Sequence, residues 1–240
     1  MAFYPVNLNI SNRRCLVVGG GSVAARKIES LLISDAAIRV VSPEVCGKIS
    51  DMADSGRIEW IQRTYQQRDL DGVFLVFAAT NQPNVQDMIA SHAKQAGVLL
   101  NSADSPHQCD FHVPAKIRRG DLLIAVSTGG SSPALSARIK DRLYFEFGPE
   151  YAALVELLAQ IRRQVVDGMR ESDENRLLFK RLLEQPLLHL IREEKWQEIQ
   201  FKLESVLPED IDCRALITML QNVSTDLRPL KTGDRISTYD

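Results

Sequence analysis

Three small residues at fixed spacing are the first candidates for chemistry. Gly19, Gly21 and Ala24 stand at the first, third and sixth positions of a G-x-G-x-x-G/A pattern, directly after the apolar run Leu16, Val17 and Val18. In a dinucleotide-binding turn the first small residue permits a tight exit from a strand. The second lets the backbone approach a pyrophosphate, and the third lets the following helix pack closely on the sheet. Phosphate oxygens then sit on the free N–H groups of the helix start. The acid that usually closes the second strand and holds a ribose is missing, because residues 38–41 run into Ser42, Pro43 and Glu44. Ser42 or Glu44 is left to serve a ribose hydroxyl. No basic side chain stands there for a 2′-phosphate, so NAD is favoured over NADP. Taken alone, the glycines also fit a purely structural strand-to-helix turn.

Two further segments offer reactive or binding groups. Asn101, Ser102, Ala103, Asp104, Ser105 and Pro106 follow an expected parallel strand, at the sheet edge where ligands bind in open α/β folds. Asp104 there is placed to accept a proton while a hydride leaves toward a nicotinamide, or to draw a proton from a ring nitrogen as a metal enters. Its plain alternative is to cap the turn before Pro106. Ser127, Thr128, Gly129, Gly130, Ser131, Ser132 and Pro133 form the second segment, with Ser132 as an N-cap and Pro133 as the first helical residue. Its N–H groups and hydroxyls suit anions. Arg138, Lys140 and Arg142 after it, with Lys116, Arg118 and Arg119 before it, suit a polycarboxylate, or else form a solvated charged face. His107, Cys109 and His112 make an H-x-C-x-x-H cluster. It reads as a metal-free loop, because His112 is expected in a strand whose alternation turns it away and no further ligands stand nearby.

The elements that must position these groups follow from periodicity. Ala24, Ile28, Leu31 and Leu32 recur with helical spacing, with Arg26, Lys27 and Glu29 turned outward. Strands are expected over 58–61, 73–79 and 98–101. A helical stripe of Val85, Met88, Ile89 and Ala93 stands between the last two. The alternation implies a parallel sheet with right-handed crossovers. Runs 111–117 and 122–126 flank Arg118, Arg119, Gly120 and Asp121 as a hairpin, and an exposed hairpin edge suggests pairing between two copies. From Pro133 onward the chain is helical. Its stripes include Leu154, Val155, Leu158, Ile161 and Val165, then Leu178, Leu182 and Leu183, punctuated by Pro149, Pro186 and Pro208.

Bulk properties narrow the function classes. At 240 residues the chain can bury a full core and carry a second domain. With 29 basic against 31 acidic residues, its net charge of −2 gives no sign of nucleic acid or of an anionic membrane surface. Apolar runs fall short of the roughly 18 residues that span a bilayer. The amino terminus lacks a basic region followed by an apolar stretch, so a cytoplasmic protein is expected. Cys15, Cys46, Cys109 and Cys213 are scattered, which disfavours disulfides and structural zinc.

Read together, Tyr4-Pro5-Val6, the VVGGGSVAARK stretch of 17–27, Val41-Ser42-Pro43, Ala78-Ala79-Thr80-Asn81, the 101–106 segment and the 127–133 turn resemble one family over about the first 145 residues. The chain resembles precorrin-2 dehydrogenase, the siroheme synthase amino-terminal module. The resemblance implies a Rossmann-type NAD-binding domain over 1–113, a β-rich dimerisation region over 114–148 and an all-helical domain over 149–223. A loose tail over 224–240 completes the expected homodimeric subunit. It implies NAD-dependent oxidation of the tetrapyrrole precorrin-2 to sirohydrochlorin, followed in some members by insertion of ferrous iron as a second substrate. Asp104 matches the family's essential aspartate. Gly19, Gly21, Ser22, Val23, Ser42, Pro43, Ala79 and Thr80 match the cofactor contacts. Asn101, Thr128, Gly129, Gly130, Ser131 and Arg138 are the expected substrate contacts. A resident metal and a fused methyltransferase domain are not expected. The competing reading is a non-catalytic NAD-sensing regulatory module, which needs the glycine turn but no Asp104. A reductase of another small metabolite would carry a Tyr-x-x-x-Lys pair, whereas Tyr65 is followed four residues later by Asp69.

Overall fold

Strands β1 (Arg14–Val18) and β4 (Leu75–Ala78) are apolar along almost their whole length, as strands covered on both faces must be. They form the centre of a five-stranded parallel sheet in the order β3-β2-β1-β4-β5, with β2 (Ala37–Val41), β3 (Glu59–Ile61) and β5 (Leu99–Ser102) outside them. The computed structural model describes residues 3–103, 105–167 and 172–226. Asp104 therefore lies outside the described residues, as do 227–240 of the expected tail.

Alternation along the strands assigns the two faces. Cys15 and Val17 pack with Ala24, Ala25, Ile28 and Leu31 of α1 (Ser22–Leu32) and with Ile49 and Met52 of α2 (Gly47–Asp54). Leu16, Val18 and Val76 pack on the other face with Ile89 and Ala93 of α3 (Pro83–Ala96). Burial in that interior pushes the Cys15 thiol up to about 11, so it behaves as a small hydrophobe. All four cysteines are free. Residues 47–54, for which the sequence reading offered no element, form α2. Two sequence expectations change here. Lys27 is half-buried and faces the sheet instead of solvent. The segment 111–114 is not strand: the Phe111 carbonyl accepts from Asn101 Nδ2 of β5, and β6 starts only at Ala115.

The free edge of β5 is covered by the return segment 109–111. The Leu100 N–H donates to Asp110 Oδ2 at 2.9 Å, and the Asp110 N–H donates to the Leu100 carbonyl at 2.9 Å. The Ser102 N–H donates to Cys109 Sγ at 3.1 Å. Side chains thus close an edge that would otherwise present open backbone groups.

By contacts the chain forms two units, Met1–Val113 with Gly129–Ser132, and Pro114–Thr128 with Pro133–Asp240. The second holds the antiparallel pair β6 (Ala115–Arg119) and β7 (Leu122–Val126). They are joined by a two-residue turn in which Gly120 takes φ +57°. Helix α4 (Pro133–Glu146) follows, then α5 (Glu150–Asp167), α6 (Ser172–Leu183), α7 (Leu187–Arg192), α8 (Trp196–Val206) and α9 (Cys213–Asp226). Pro149 and Pro186 directly precede α5 and α7, which begin where proline's fixed φ is tolerated. The α5 seam is Ala153, Leu157, Ile161 and Val165, closing on Leu182, Leu187, Ile199, Leu203 and Leu220. The expected Leu154 and Leu158 flank this seam, and Leu183 is exposed.

Candidate dinucleotide and substrate site

The sheet register brings four strand ends into one row. Val18 pairs with Val41 and with Ala78, and Ala78 pairs with Ser102. The residues that follow those ends, Gly19, Ser42, Ala79 and Ala103, therefore share one edge. The strand order reverses between β1 and β4, so Gly19 and Ala79 flank the crevice where open α/β sheets hold ligands.

Each glycine of the turn answers to a different constraint. Gly19 takes φ +124°, and a Cβ there would lie 2.3 Å from the Ala79 carbonyl oxygen. A Cβ on Gly20 would lie 1.9 Å from the Glu44 carbonyl oxygen, because the 42–46 segment crosses the turn and the Cys46 N–H donates to Gly20 O at 2.8 Å. Gly20 occupies a variable position of the fingerprint, so nothing in the motif marks it. A Cβ on Gly21 would meet nothing within 4 Å. Gly21 caps α1 with no side-chain hydrogen bond, and the first turn of α1 carries no acid. Ser22 and Val23 open that helix, whose positive dipole end faces the open space at Gly21. This uncapped N-terminus with room beside it fits a pyrophosphate.

Ser42 is buried, and its hydroxyl donates to the Glu44 carbonyl at 2.6 Å while Trp60 Nε1 donates to the Ser42 carbonyl at 3.0 Å. Ser42 thus sets the path of the 42–46 segment, and Pro43 and Glu44 are its exposed residues. The arginines nearest in sequence to the ends of β2 and β3 are engaged. Arg39 pairs with Glu59 at 2.8 Å, and Arg63 holds Asp69 through two hydrogen bonds of 2.8 and 2.5 Å. At the β4 end, Thr80 is half-buried and its carbonyl accepts from Gln86 Nε2 at 2.6 Å. Gln86 Oε1 in turn accepts from the Ser102 hydroxyl at 3.0 Å. Sequence reasoning missed Gln86, whose polar side chain is buried on the otherwise apolar inner face of α3.

Asn101, expected at the substrate, is buried, and its amide bonds inward. Oδ1 accepts from Lys27 Nζ at 3.2 Å, and Nδ2 donates to the Phe111 carbonyl at 3.0 Å. The H-x-C-x-x-H cluster divides. His107 is exposed, burial pushes the Cys109 thiol up, and Cys109 Sγ serves the Ser102 N–H. His112 stacks on Phe3 with ring centroids 4.2 Å apart, and its Nε2 is buried with no hydrogen-bond partner among the described residues. It lies beneath the glycine-rich turn, since a Cβ on Gly130 would be 3.5 Å from its Cε1. Gly129 and Gly130 take φ of +62° and +85°, and both are exposed with Ser131. Among the described residues no group of three or more His, Cys, Asp or Glu converges to hold a metal.

Within the second unit, Thr128 Oγ1 and Ser136 Oγ lie 3.2 Å apart. A cavity of about 470 Å³ is lined by Lys116, Arg118, Arg119, Lys140, Tyr144 and Phe145, with Asp141 as its one acid. Arg119 lies over the Tyr144 ring at 4.3 Å and donates to the Phe147 and Tyr144 carbonyls, closing the C-terminal end of α4. Desolvation, then the neighbouring Arg118, lowers the Lys116 ammonium. Arg138 is exposed on α4 and, like Arg142, is not among the residues lining this cavity.

Residues 6–115 match the family model described as putative NAD(P)-binding, and residues 119–143 match the one described as sirohaem biosynthesis protein central. A siroheme synthase of Nitrosococcus oceani is 31% identical over 207 residues, covering 86% of this chain and 44% of the relative. One from Methylococcus capsulatus is 34% identical over 215 residues, covering 90% and 44%. The chain thus spans less than half the length of these curated relatives. Among solved structures, SirC, precorrin-2 dehydrogenase, superposes with a TM-score of 0.67 at 27% identity, covering 92% of this chain and 100% of that one. From its glycine turn through its hairpin into α4, the chain is similar to siroheme synthases over the part of them it spans and to SirC, precorrin-2 dehydrogenase, over that chain's whole length.

Proposed function

We propose that this protein oxidises precorrin-2 to sirohydrochlorin with NAD, acting as a cytoplasmic homodimer through its hairpin region. The observation that carries the reading is the open N-terminus of α1 at Gly21, set in the row of strand ends at the sheet's switch point. The likeness to siroheme synthases and to SirC, precorrin-2 dehydrogenase, supplies the substrate. NAD, when bound, supplies the hydride acceptor. The first N–H groups of α1 at Ser22 and Val23 bind the pyrophosphate. The 42–44 segment lines the adenosine ribose, and Ala79 and Thr80 line the nicotinamide end. With Arg39 and Arg63 already engaged by Glu59 and Asp69, the second-strand end favours a ribose without a 2′-phosphate. Asp104 takes the proton that leaves as the hydride departs. Gly129, Gly130 and Ser131 offer backbone donors to substrate carboxylates, and Thr128 and Arg138 serve the same anionic class. The cationic cavity of the second unit is a further complement to a polycarboxylate. No helix is long and apolar enough to cross a membrane among the described residues.

The test is anaerobic turnover of precorrin-2 with NAD, following NADH and sirohydrochlorin together. Equal formation of both is expected, and addition of ferrous iron then reports chelation separately. Asp104→Ala is expected to bind NADH normally while kcat falls about 100-fold or more. Full turnover in that variant removes Asp104 from the reaction. NADH binding without turnover in the unaltered protein points to the sensor reading.

A further inference from the structure

The last two residues of β5 are buried polar residues on opposite faces of the sheet, and each is held by a polar side chain from the helix covering that face. On the α1 face, Lys27 Nζ donates to Asn101 Oδ1 at 3.2 Å and lies 5.4 Å from the centre of the Phe77 ring. On the α3 face, Gln86 Oε1 accepts from the Ser102 hydroxyl at 3.0 Å while Gln86 Nε2 donates to the Thr80 carbonyl at 2.6 Å. Asn101 passes the restraint on, since its Nδ2 donates to the Phe111 carbonyl at 3.0 Å, and Phe111 packs edge-on against Phe77 with centroids 5.6 Å apart. Cys109 and Asp110 fasten the same return segment to Ser102 and Leu100. The chain between these anchors is 103–108, which includes Asp104.

Buried polar groups are costly unless paired, so a polar residue at each of two successive strand positions needs a reason beyond the core. Apolar residues would fill a parallel strand end equally well, as Val18, Val41 and Ala78 do in the same row. What the polar pairs add is directional restraint on the residues that launch the loop. Gln86 adds one more link, because the carbonyl it holds belongs to Thr80 on the cofactor side. A misplacement of about 1 Å at a reacting group can cost 100-fold in rate.

We infer that Lys27 and Gln86 are positioning residues that clamp the end of β5 from its two faces, Lys27 fixing the strand end that leads to Asp104 and Gln86 tying that end to the cofactor-lining Thr80. This rests on the dehydrogenase reading for its kinetic consequence, whereas its structural consequence is independent. Lys27→Met and Gln86→Leu remove the bonding groups at similar size, and Lys27→Arg keeps a donor. With Lys27→Met, kcat for precorrin-2 oxidation should fall about tenfold while the NADH dissociation constant stays within about twofold, and Lys27→Arg should recover part of kcat. Gln86→Leu should lower kcat and weaken NADH binding together. Hydrogen exchange measured on the unliganded full chain should show peptides from 99–111 exchanging faster in both bond-removing variants, with β1 and β4 unchanged. An unaltered kcat in Lys27→Met, or equal losses in kcat and NADH affinity there, overturns the positioning role. If the unaltered protein fails to oxidise precorrin-2, the dehydrogenase reading falls. The clamp is then judged by exchange alone, and unchanged protection of 99–111 overturns it.

Discussion

Gly20 and Gly21 are neighbours whose replacement by alanine should have opposite consequences. On Gly20 the new methyl would meet the Glu44 carbonyl at 1.9 Å, so the 42–46 segment must move, and a loss of about 3 kcal/mol in unfolding free energy is expected by urea titration. On Gly21, with φ −83° and open space around it, alanine is tolerated by the fold. It occupies the room a pyrophosphate needs, so the midpoint of unfolding should hold while the NADH dissociation constant rises at least about tenfold. Normal NADH affinity in Gly21→Ala would move the cofactor away from the α1 N-terminus. The fingerprint glycines were legible in sequence because their demands are local and fixed in spacing. Gly20, Lys27 and Gln86 were not. Their roles come from contacts with Glu44, Asn101 and Ser102, as much as 74 residues away, which no short motif encodes. The work of Cys109 for the Ser102 N–H was illegible for the same reason, since it depends on a chain return that only the fold reveals.

Among the elements, the parallel strands and α1 were readable because apolar runs and helical stripes are dictated by burial. The strand error arose where a polar side chain stands in for regular pairing, the Phe111 carbonyl serving Asn101 of β5 instead of extending β6, while the short helix α2 carried too few apolar positions to stand out. The connection from β3 to β4 shows the same device with a measurable consequence. Asp69 is 2% exposed, accepts two hydrogen bonds from Arg63 and takes the Gln66 N–H at 2.8 Å. Burial alone would raise its carboxyl, but Arg63 and the Gln66 N–H outweigh that, leaving it below its ordinary value. A depressed folded value means stability that is present above the ordinary carboxylate range and lost as pH falls through the folded value. Asp69→Asn should therefore cost about 2 to 3 kcal/mol at pH 7, and the gap should shrink once the pH drops below about 4. Urea unfolding of both proteins at pH 7 and pH 3 measures it. A gap that is the same at both pH values would show that Asp69 contributes through shape rather than charge.

For the whole molecule, the decisive feature is that each unit closes its own core. The helical unit gathers its apolar side chains between Ala153 and Leu220, and the sheet unit gathers its own from residues up to Leu100. The chain's two tryptophans divide the same way. Trp60 bonds the Ser42 carbonyl beside the glycine turn, and Trp196 packs against the helical core. A ligand held only by the sheet unit stabilises that unit by an amount set by its concentration over its dissociation constant, about 2.7 kcal/mol at a hundredfold excess. Trp196→Phe leaves Trp60 as the reporter, and Trp60→Phe leaves Trp196. In thermal melts with saturating NAD, the Trp60 transition should rise by about 10 °C while the Trp196 transition stays in place. Equal movement of both would mean that the cores unfold as one cooperative block. Movement of neither, with binding shown by titration, would move the cofactor off the strand-end row at Gly19, Ser42 and Ala79.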